Sequence, residues 1–200
     1  AGVPLRSKDR NDLFPLVVAG GPCACNPEPI ADFIDLFMLG EGEEVILELV
    51  DLYRDAKANG LSKQEFLIKA ATIKGVYVPS LYDVSYNEDG TIKEFKPKYE
   101  DVPTRVKKRI VNNFDKVDFP VDMIVPYSEI VHDRVVLETS RGCTNGCRFC
   151  QAGMIYRPTR QKDVEMLKKY ARAMLDNTGY EEISLSSLSS VTLLSLASAI

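Results

Sequence analysis

Hydrophobic and polar positions along the first 60 residues follow a pattern typical of alternating strands and helices. Apolar runs at residues 15–19 and 34–39 predict buried strands, and glycines follow each run. The Asn-Pro-Glu stretch at 26–28 predicts a helix start, because an Asn cap, a proline and an acid favour a first helical turn. Apolar residues recur at helical spacing over 43–58, which predicts a helix ended by Gly60. Together they predict a βαβα unit of a doubly wound sheet.

The middle of the chain, residues 61–134, shows weaker periodicity. A capping box formed by Ser62 and Glu65 predicts a helix over 62–73, and a short strand is expected near 76–78. Alternating residues on both sides of Asn-Glu-Asp-Gly at 87–90 predict a β-hairpin. We interpret 61–134 as a linker with a small α+β insertion between two domains.

A second regular pattern begins at residue 135. The apolar run 135–139 predicts a strand, and Asp163 is a good cap for a helix that extends to residue 177, with Gly179 behind it. Alternation at 182–186 predicts another strand, so the segment forms one parallel βαβ unit. The apolar run 191–200 predicts a helix. Active sites of βα barrels lie at the carboxyl ends of strands, which is where the segment between 139 and 163 falls.

That segment contains Cys143, Cys147 and Cys150 in the spacing Cys-x-x-x-Cys-x-x-Cys. Cysteine thiolates are the usual ligands of iron–sulfur clusters, and three of them leave one iron of a four-iron cubane open to another ligand. A structural zinc site would need a fourth Cys or His ligand. A disulfide framework fits poorly with five cysteines and no signal peptide. Iron–sulfur binding is therefore the favoured interpretation.

Composition bears on the binding partners and the cellular compartment of the protein. The chain has 25 basic and 29 acidic residues, so there is no overall basic signature of nucleic-acid binding, although the basic triplet 107–109 leaves a local contact open. No apolar run approaches the roughly 20 residues of a membrane span. We expect a protein of the reducing cytoplasm and no membrane partner. The absence of an initiator methionine and the abrupt end lead us to expect a fragment of a longer protein.

The cysteine motif resembles the signature of the radical S-adenosylmethionine (radical SAM) superfamily, and the run GCTNGCRFCQAGMIYRPTR is most similar to cobalamin-binding-domain radical SAM proteins of unassigned activity. The resemblance implies that the three cysteines hold a 4Fe–4S cluster whose fourth iron binds S-adenosylmethionine, giving a 5′-deoxyadenosyl radical. Phe149 matches the position that lies against the adenine. Ser186 and Ser187 occupy the place of a Gly-Gly-Glu stretch that contacts the cofactor. A flavodoxin or ferredoxin would be the reductant, and the substrate is open.

The pattern VVAGGPCACNPEP … FIDLFMLGEGEE resembles the second half of the cobalamin-binding domain that precedes many radical SAM cores. The resemblance implies that two glycine turns, Gly20-Gly21 and Gly40-Glu41-Gly42, line the cleft for cobalamin. The alternative is that these glycines only form tight turns. Cys23 and Cys25 are open to a ligand role, but a pair separated by one residue is more often without one.

The expected fold class is therefore α/β. Residues 1–60 would be the C-terminal part of a doubly wound cobalamin-binding-like domain, 61–134 the linker, and 135–200 the first βα units of a radical SAM partial TIM barrel. Such a truncated barrel is expected to be inactive alone. Alternatives are a methylthiotransferase-like modifier of RNA or protein, which normally brings a second three-cysteine cluster, and a non-catalytic iron–sulfur or zinc module.

Overall fold

The computed structural model describes residues 2–117, 119–128 and 130–189. The chain divides into two compact units, Ala1–Val111 and Asn112–Ile200. The helix predicted at 191–200 lies outside the described residues. Residues 61–111, assigned to the linker in the sequence interpretation, belong to the first unit and supply part of its core.

The first unit is built around a small mixed sheet of three strands in the order β1-β2-β3. The strands are β1 (Val18–Ala19), β2 (Leu36–Met38) and β3 (Val76–Tyr77). The predicted parallel pairing of the first two strands is confirmed, with Val18 opposite Leu36. The third strand runs antiparallel to β2, with Phe37 opposite Tyr77, so the sheet is not the purely parallel one of a doubly wound domain.

Two helices cover this sheet. Helix α1 (Gly42–Ala58) matches the predicted periodicity, and helix α2 (Lys63–Ala71) begins at the predicted capping box, in which the Ser62 side chain accepts from the Glu65 amide while the Glu65 carboxylate accepts from the Ser62 amide. Their apolar faces are buried with the central strand. The largest fully buried side chains of this core are Phe37, Phe66, Leu36, Leu81, Val45, Val76 and Val78.

The helix predicted from residue 26 is wrong. Between β1 and β2 the chain forms two short 3₁₀ segments, Pro22–Cys25 and Glu28–Phe33. Each segment carries a proline in its first turn, and Pro29 lacks the amide hydrogen that an extending helix would use. The connection is tied to the sheet by a hydrogen bond from the Tyr77 hydroxyl to the Glu28 carboxylate. Burial, followed by this hydrogen bond, raises the pKa of Tyr77.

The predicted hairpin is confirmed as β4 (Tyr82–Tyr86) paired with β5 (Ile92–Pro97). Its register places apolar side chains on one face, with Val84 opposite Phe95. The Tyr82 ring stacks on Phe95 at 4.7 Å between centroids, which continues the core into the base of the hairpin.

A buried ion cluster lies within the first unit, at the start of β2, and no sequence pattern indicated it. Asp35 is 1% exposed and accepts hydrogen bonds from Ser7 (2.5 Å), the Val17 amide (2.7 Å) and the Arg10 guanidinium (3.1 Å), and the Lys63 ammonium lies 2.6 Å away. Burial alone would raise the pKa of Asp35, but the hydrogen bonds, that of Lys63 first, lower it overall. The cluster fastens the N-terminal segment to the sheet and to α2.

The second unit contains the predicted βαβ arrangement. Strand β6 (Val135–Glu138) pairs in parallel with β9 (Ile183–Ser186), and helix α4 (Val164–Thr178) packs on β6. The Asp163 carboxylate caps the helix by accepting from the Glu165 and Met166 amides, and Gly179 ends it with φ +72°. The fully buried core of this unit consists of Val135, Leu137, Leu167 and Met174.

Three smaller elements complete the second unit: β7 (Ser140–Arg141), α3 (Ala152–Ile155) and β8 (Arg160–Gln161). The unit is thus a mixed α/β structure consistent with part of a radical SAM barrel. Among the described residues, none of the helices combines the length and the apolar composition that a membrane span needs.

Candidate functional site

The three clustered cysteines lie on a loop, residues 142–159, that leaves the carboxyl end of β6. The two ends of this loop are held together by antiparallel pairing of β7 with β8, with Ser140 opposite Gln161 and Arg141 opposite Arg160. The Lys162 amide adds a hydrogen bond of 2.9 Å to the Thr139 carbonyl. We call 142–159 the cysteine loop. Its closure at the base means that it projects from a fixed point at the end of a parallel strand.

Gly142 is required by this closure. Its φ is +89°, and a Cβ atom built there would lie 2.7 Å from Thr159 Cα and 2.9 Å from the carbonyl oxygens of both Pro158 and Tyr156. Contacts below 3.0 Å are not tolerated by real side chains. The first and last residues of the loop therefore approach each other so closely at position 142 that only glycine fits. Gly146 also has a positive φ, of +63°, but its Cβ would meet open space.

The thiols of the loop are free and accessible. Cys147 and Cys150 are exposed, Cys143 is half-buried, and none of them is in a disulfide. The Cys150 amide donates to the Cys147 carbonyl at 3.1 Å, which forms a tight turn between the last two cysteines. Across the described residues, no three His, Cys, Asp or Glu side chains are grouped so that they could hold a metal ion. The donor set and its accessibility fit a thiolate-bound cluster, although the sulfurs are not gathered around one point.

The residues expected to contact S-adenosylmethionine fall on two parts of the second unit. Ser186 ends β9, and its carbonyl accepts from the Thr139 amide (3.0 Å) and hydroxyl (3.2 Å), so the end of β9 lies directly beside the start of the cysteine loop. Ser187 follows it and is half-buried. Phe149 is on the loop itself, with 93% of its surface exposed. These cofactor roles stay predictions.

Arginine side chains near the loop form an ion pair and hydrogen bonds with groups of the protein itself. Arg141 forms a two-point ion pair with Glu138, with nitrogen–oxygen distances of 2.8 and 2.9 Å. Arg157 donates to the Gly153 carbonyl (3.0 Å) and Arg160 to the Pro158 carbonyl (3.3 Å). The arginines therefore shape the loop as well as adding positive charge around it.

Phe114 and Lys162 were missed by sequence reasoning. Lys162 is buried, and its ammonium donates to the Phe114 carbonyl at 2.8 Å. This bond joins a 3₁₀ turn, Phe114–Lys116, to the end of the strand that closes the cysteine loop. A single aromatic residue in a polar, irregular stretch gave no signal of such a contact.

In the first unit, the Gly40 turn has a packing explanation. Gly40 has a φ of +101°, and a Cβ there would collide with the carbonyl oxygen of Arg109 and lie 2.8 Å from its amide nitrogen. The Arg109 amide donates to the Leu39 carbonyl (2.7 Å), and the Glu41 amide donates to the Arg109 carbonyl (3.0 Å). The backbone of residue 109 thus fills the space that a glycine leaves here.

The side chain of Arg109 is held as firmly as its backbone. Its guanidinium pairs with Glu44 and Glu48, each at a shortest nitrogen–oxygen distance of 2.6 Å. The hydrogen bonds, that to Glu44 first, raise the pKa of Arg109. One member of the basic triplet is therefore used to fasten its own segment to α1.

The other turn glycines are open. A Cβ at Gly21 or Gly42 would meet nothing within 4 Å, and at Gly20 it would make only ordinary contacts with Met38. Both glycine turns follow strands of the parallel pair, at its carboxyl end, as the sequence predicted. Cys23 and Cys25 lie exposed in the 3₁₀ segment after the first turn. Cobalamin contacts at these glycines stay predictions.

Two protein-family models match the chain. The model described as "Radical SAM proteins, N-terminal" matches residues 1–79, and the model of the radical SAM superfamily matches residues 137–191. The second match includes the cysteine loop and the end of β9. No solved structure matches the chain.

Two curated relatives extend the similarity over most of the chain. An uncharacterized protein of Methanocaldococcus jannaschii is 30% identical over 166 residues, which is 82% of this chain and 28% of that protein. An uncharacterized methyltransferase of Pyrococcus horikoshii is 28% identical over 145 residues, 69% of this chain and 25% of the relative. The chain thus spans about a quarter of the length of these relatives. With both family models matched in order and the three-cysteine loop at the end of a barrel-type strand, the chain belongs to the radical SAM superfamily.

Proposed function

We propose that this chain carries the cluster-binding part of a radical SAM enzyme, with Cys143, Cys147 and Cys150 as the protein ligands of a 4Fe–4S cluster. The observation that carries the proposal is the cysteine loop: three free thiols on one segment, closed at its base and placed at the carboxyl end of a parallel strand. Three thiolates are what a four-iron cluster with one open iron requires.

The remaining cofactor contacts are those that the resemblance to radical SAM proteins implies. S-adenosylmethionine would bind the open iron, with Phe149 against its adenine and the end of β9, at Ser186 and Ser187, near its amino group. The hydrogen bonds from Thr139 to the Ser186 carbonyl support this placement, because they fix the end of β9 beside the loop. When bound, the cluster would supply an electron for reductive cleavage of S-adenosylmethionine. The chain's own contribution is to bind and orient.

Anaerobic reconstitution of the full-length protein with iron and sulfide tests the proposal. We expect an EPR signal of a reduced 4Fe–4S cluster that shifts when S-adenosylmethionine is added. Cys147→Ala should lose the signal, whereas Cys23→Ala, which removes an exposed thiol from the first unit, should keep it. Uptake of zinc without sulfide, or equal loss in both variants, would contradict the assignment.

For the reaction class we propose methyl transfer with cobalamin as a second cofactor. The support is the name of the Pyrococcus horikoshii relative, a methyltransferase, together with the two glycine turns at the carboxyl end of the parallel strands in the first unit. The full-length protein should retain cobalamin on purification and transfer a labelled methyl group from S-adenosylmethionine to a substrate. Production of 5′-deoxyadenosine without cobalamin retention or label transfer would contradict the methyl-transfer proposal and leave the cluster assignment intact.

We further propose that the 200-residue chain alone does not turn over, and that a flavodoxin or ferredoxin supplies its electrons in the full-length protein. In the described part of the second unit only two parallel strands pair, and a barrel needs several more to enclose a reactive site. The reconstituted chain, incubated with S-adenosylmethionine and dithionite, should yield no more 5′-deoxyadenosine than a cluster-free control. Repeated turnovers by the chain would overturn this proposal.

A further inference from the structure

Phe114 lies 29 residues before Cys143, the first of the three loop cysteines, yet it is built into the base of the cysteine loop. It opens the 3₁₀ turn Phe114–Lys116, and only 4% of its surface is exposed. Its carbonyl accepts from the Lys162 ammonium at 2.8 Å, and the neighbouring Asp115 carboxylate accepts from the Asp163 amide at 2.7 Å. Two hydrogen bonds therefore fix this turn at the junction between β8 and α4.

The ring of Phe114 faces three cations. The Lys162 ammonium lies 4.0 Å from the ring centroid, and the guanidinium carbons of Arg141 and Arg160 lie at 4.8 and 5.7 Å. All three distances are within the roughly 6 Å over which a cation is attracted to an aromatic ring. Arg141 and Arg160 are also directly opposite each other in the β7–β8 pair. One ring therefore contacts both strands that close the cysteine loop.

We propose that Phe114 is a positioning residue of the cysteine loop. Its ring holds the guanidiniums of Arg141 and Arg160 together, and so keeps β7 and β8 paired at the base of the loop that carries the three cysteines. The proposal rests on the proposed function, because it assigns Phe114 to the same site. The contact is electrostatic and depends on the electron density of the ring face.

The test compares Phe114→Leu with Phe114→Tyr in the full-length protein. Leucine fills much of the space but has no ring face, whereas tyrosine keeps it. In Phe114→Leu we expect the Lys162 amide, bonded to the Thr139 carbonyl, to exchange its hydrogen about ten times faster, since three cation–ring contacts are lost together. Iron and sulfide content should fall, and the EPR line shape of any remaining cluster should change. Phe114→Tyr should keep the exchange rate of the Lys162 amide and the cluster properties close to those of the wild type.

A matched control is Phe119→Leu. The Phe119 ring stacks on Tyr170 at 5.2 Å between centroids, and its centroid lies 5.7 Å from the Lys162 ammonium. Among the described residues, Arg141 and Arg160 lie over the ring of Phe114 and not over that of Phe119. Phe119→Leu should alter packing on α4 without changing the EPR line shape.

If the amides throughout α4 lose protection from exchange in Phe114→Leu, the unit has unfolded, and pentafluorophenylalanine at position 114 replaces leucine in the test. That residue keeps the shape of the ring and reverses its charge distribution, so it should reproduce faster exchange and lower cluster content.

The outcomes separate the two proposals. A wild-type protein that binds no cluster refutes the proposed function, while hydrogen exchange at Lys162 still reports whether the ring holds the loop closed. A wild-type protein that binds a cluster, together with a Phe114→Leu or fluorinated variant of unchanged exchange, iron content and line shape, overturns the role of Phe114 and leaves the cluster intact.

Discussion

Replacing Gly142 by alanine should open the cysteine loop more than the same change at Gly146 or Gly153, the other glycines of the loop. The added Cβ would lie 2.7 Å from Thr159 Cα and 2.9 Å from two carbonyl oxygens, all of them backbone atoms that cannot rotate away. The backbone must therefore shift, and the β7–β8 pair must shift with it, because β7 ends at Arg141, immediately before Gly142.

The magnitude follows from two contributions. A non-glycine residue at a positive φ costs about 1 to 2 kcal/mol. Packing the added methyl group against backbone atoms that cannot rotate away costs about 1 to 3 kcal/mol more. Gly142→Ala should therefore destabilise the closed loop by roughly 2 to 5 kcal/mol in total. Gly146→Ala is the matched control, because φ is +63° there and a Cβ meets nothing within 4 Å. It should show only the conformational part, about 1 to 2 kcal/mol.

Hydrogen exchange resolved by residue is the suitable assay, because a chain of two compact units need not unfold in one transition. The Lys162 amide reports the closure directly, through its bond to the Thr139 carbonyl. Gly142→Ala should accelerate its exchange about tenfold beyond Gly146→Ala, corresponding to about 1.4 kcal/mol, which lies within the overpacking contribution. Cluster content should fall in the same order. Equal exchange in the two variants would show that the crossing at Gly142 is not what holds the loop closed.

Three further predictions concern the rest of the chain. Asp35→Asn should destabilise the first unit by about 3 to 5 kcal/mol in urea unfolding, because two buried cations lose their partner. Folding lowers the pKa of Asp35. Wild-type stability should therefore fall as the pH drops below about 3.9, the ordinary pKa of an aspartate in an unfolded chain, and Asp35→Asn should lack this pH-dependent loss. Gly40→Ala should destabilise the first unit markedly, whereas Gly42→Ala should change its stability by less than about 0.5 kcal/mol and lower cobalamin retention if that turn approaches the cofactor. Asp163→Ala should destabilise α4 by about 1 kcal/mol, measured by exchange of its first-turn amides.

Each of these has an outcome that would count against it. A pH profile that is the same in Asp35→Asn and wild type would assign the acid sensitivity to other carboxylates. Similar stabilities for Gly40→Ala and Gly42→Ala would contradict the close approach of the Arg109 backbone. Unchanged exchange in Asp163→Ala would show that its two amide contacts contribute little.

Local sequence determined the regular elements that depend on neighbours a few residues away. The capping box at Ser62, the Asp163 cap and Gly179 act within one helical turn, and all three are found where the pattern predicted them. The hairpin and the parallel pairing of β6 with β9 likewise follow from alternation and turn residues. The spacing of the three cysteines also identified the candidate site, because cluster ligation by adjacent thiolates is a local requirement.

Local signals failed where prolines or strand direction intervened. The cap at residue 26 predicted a helix, but two 3₁₀ segments formed there instead. Strand β3 pairs antiparallel with β2. Its direction depends on how the segment after α2 returns to the sheet, and hydrophobic periodicity does not predict that direction.

Only the tertiary structure decided the contacts between residues far apart in the chain. Arg109 meets Glu44 across 65 positions, Lys63 meets the Arg10 carbonyl across 53, and Lys162 meets the Phe114 carbonyl across 48. Each partner by itself is an ordinary charged or aromatic residue in a polar stretch. Its role arises from burial and from the geometry that the folded backbone imposes, since a charge removed from water must find a partner wherever the fold places one. The sequence alone therefore identified the cysteine motif and its strand, and the fold alone showed what holds that motif in place.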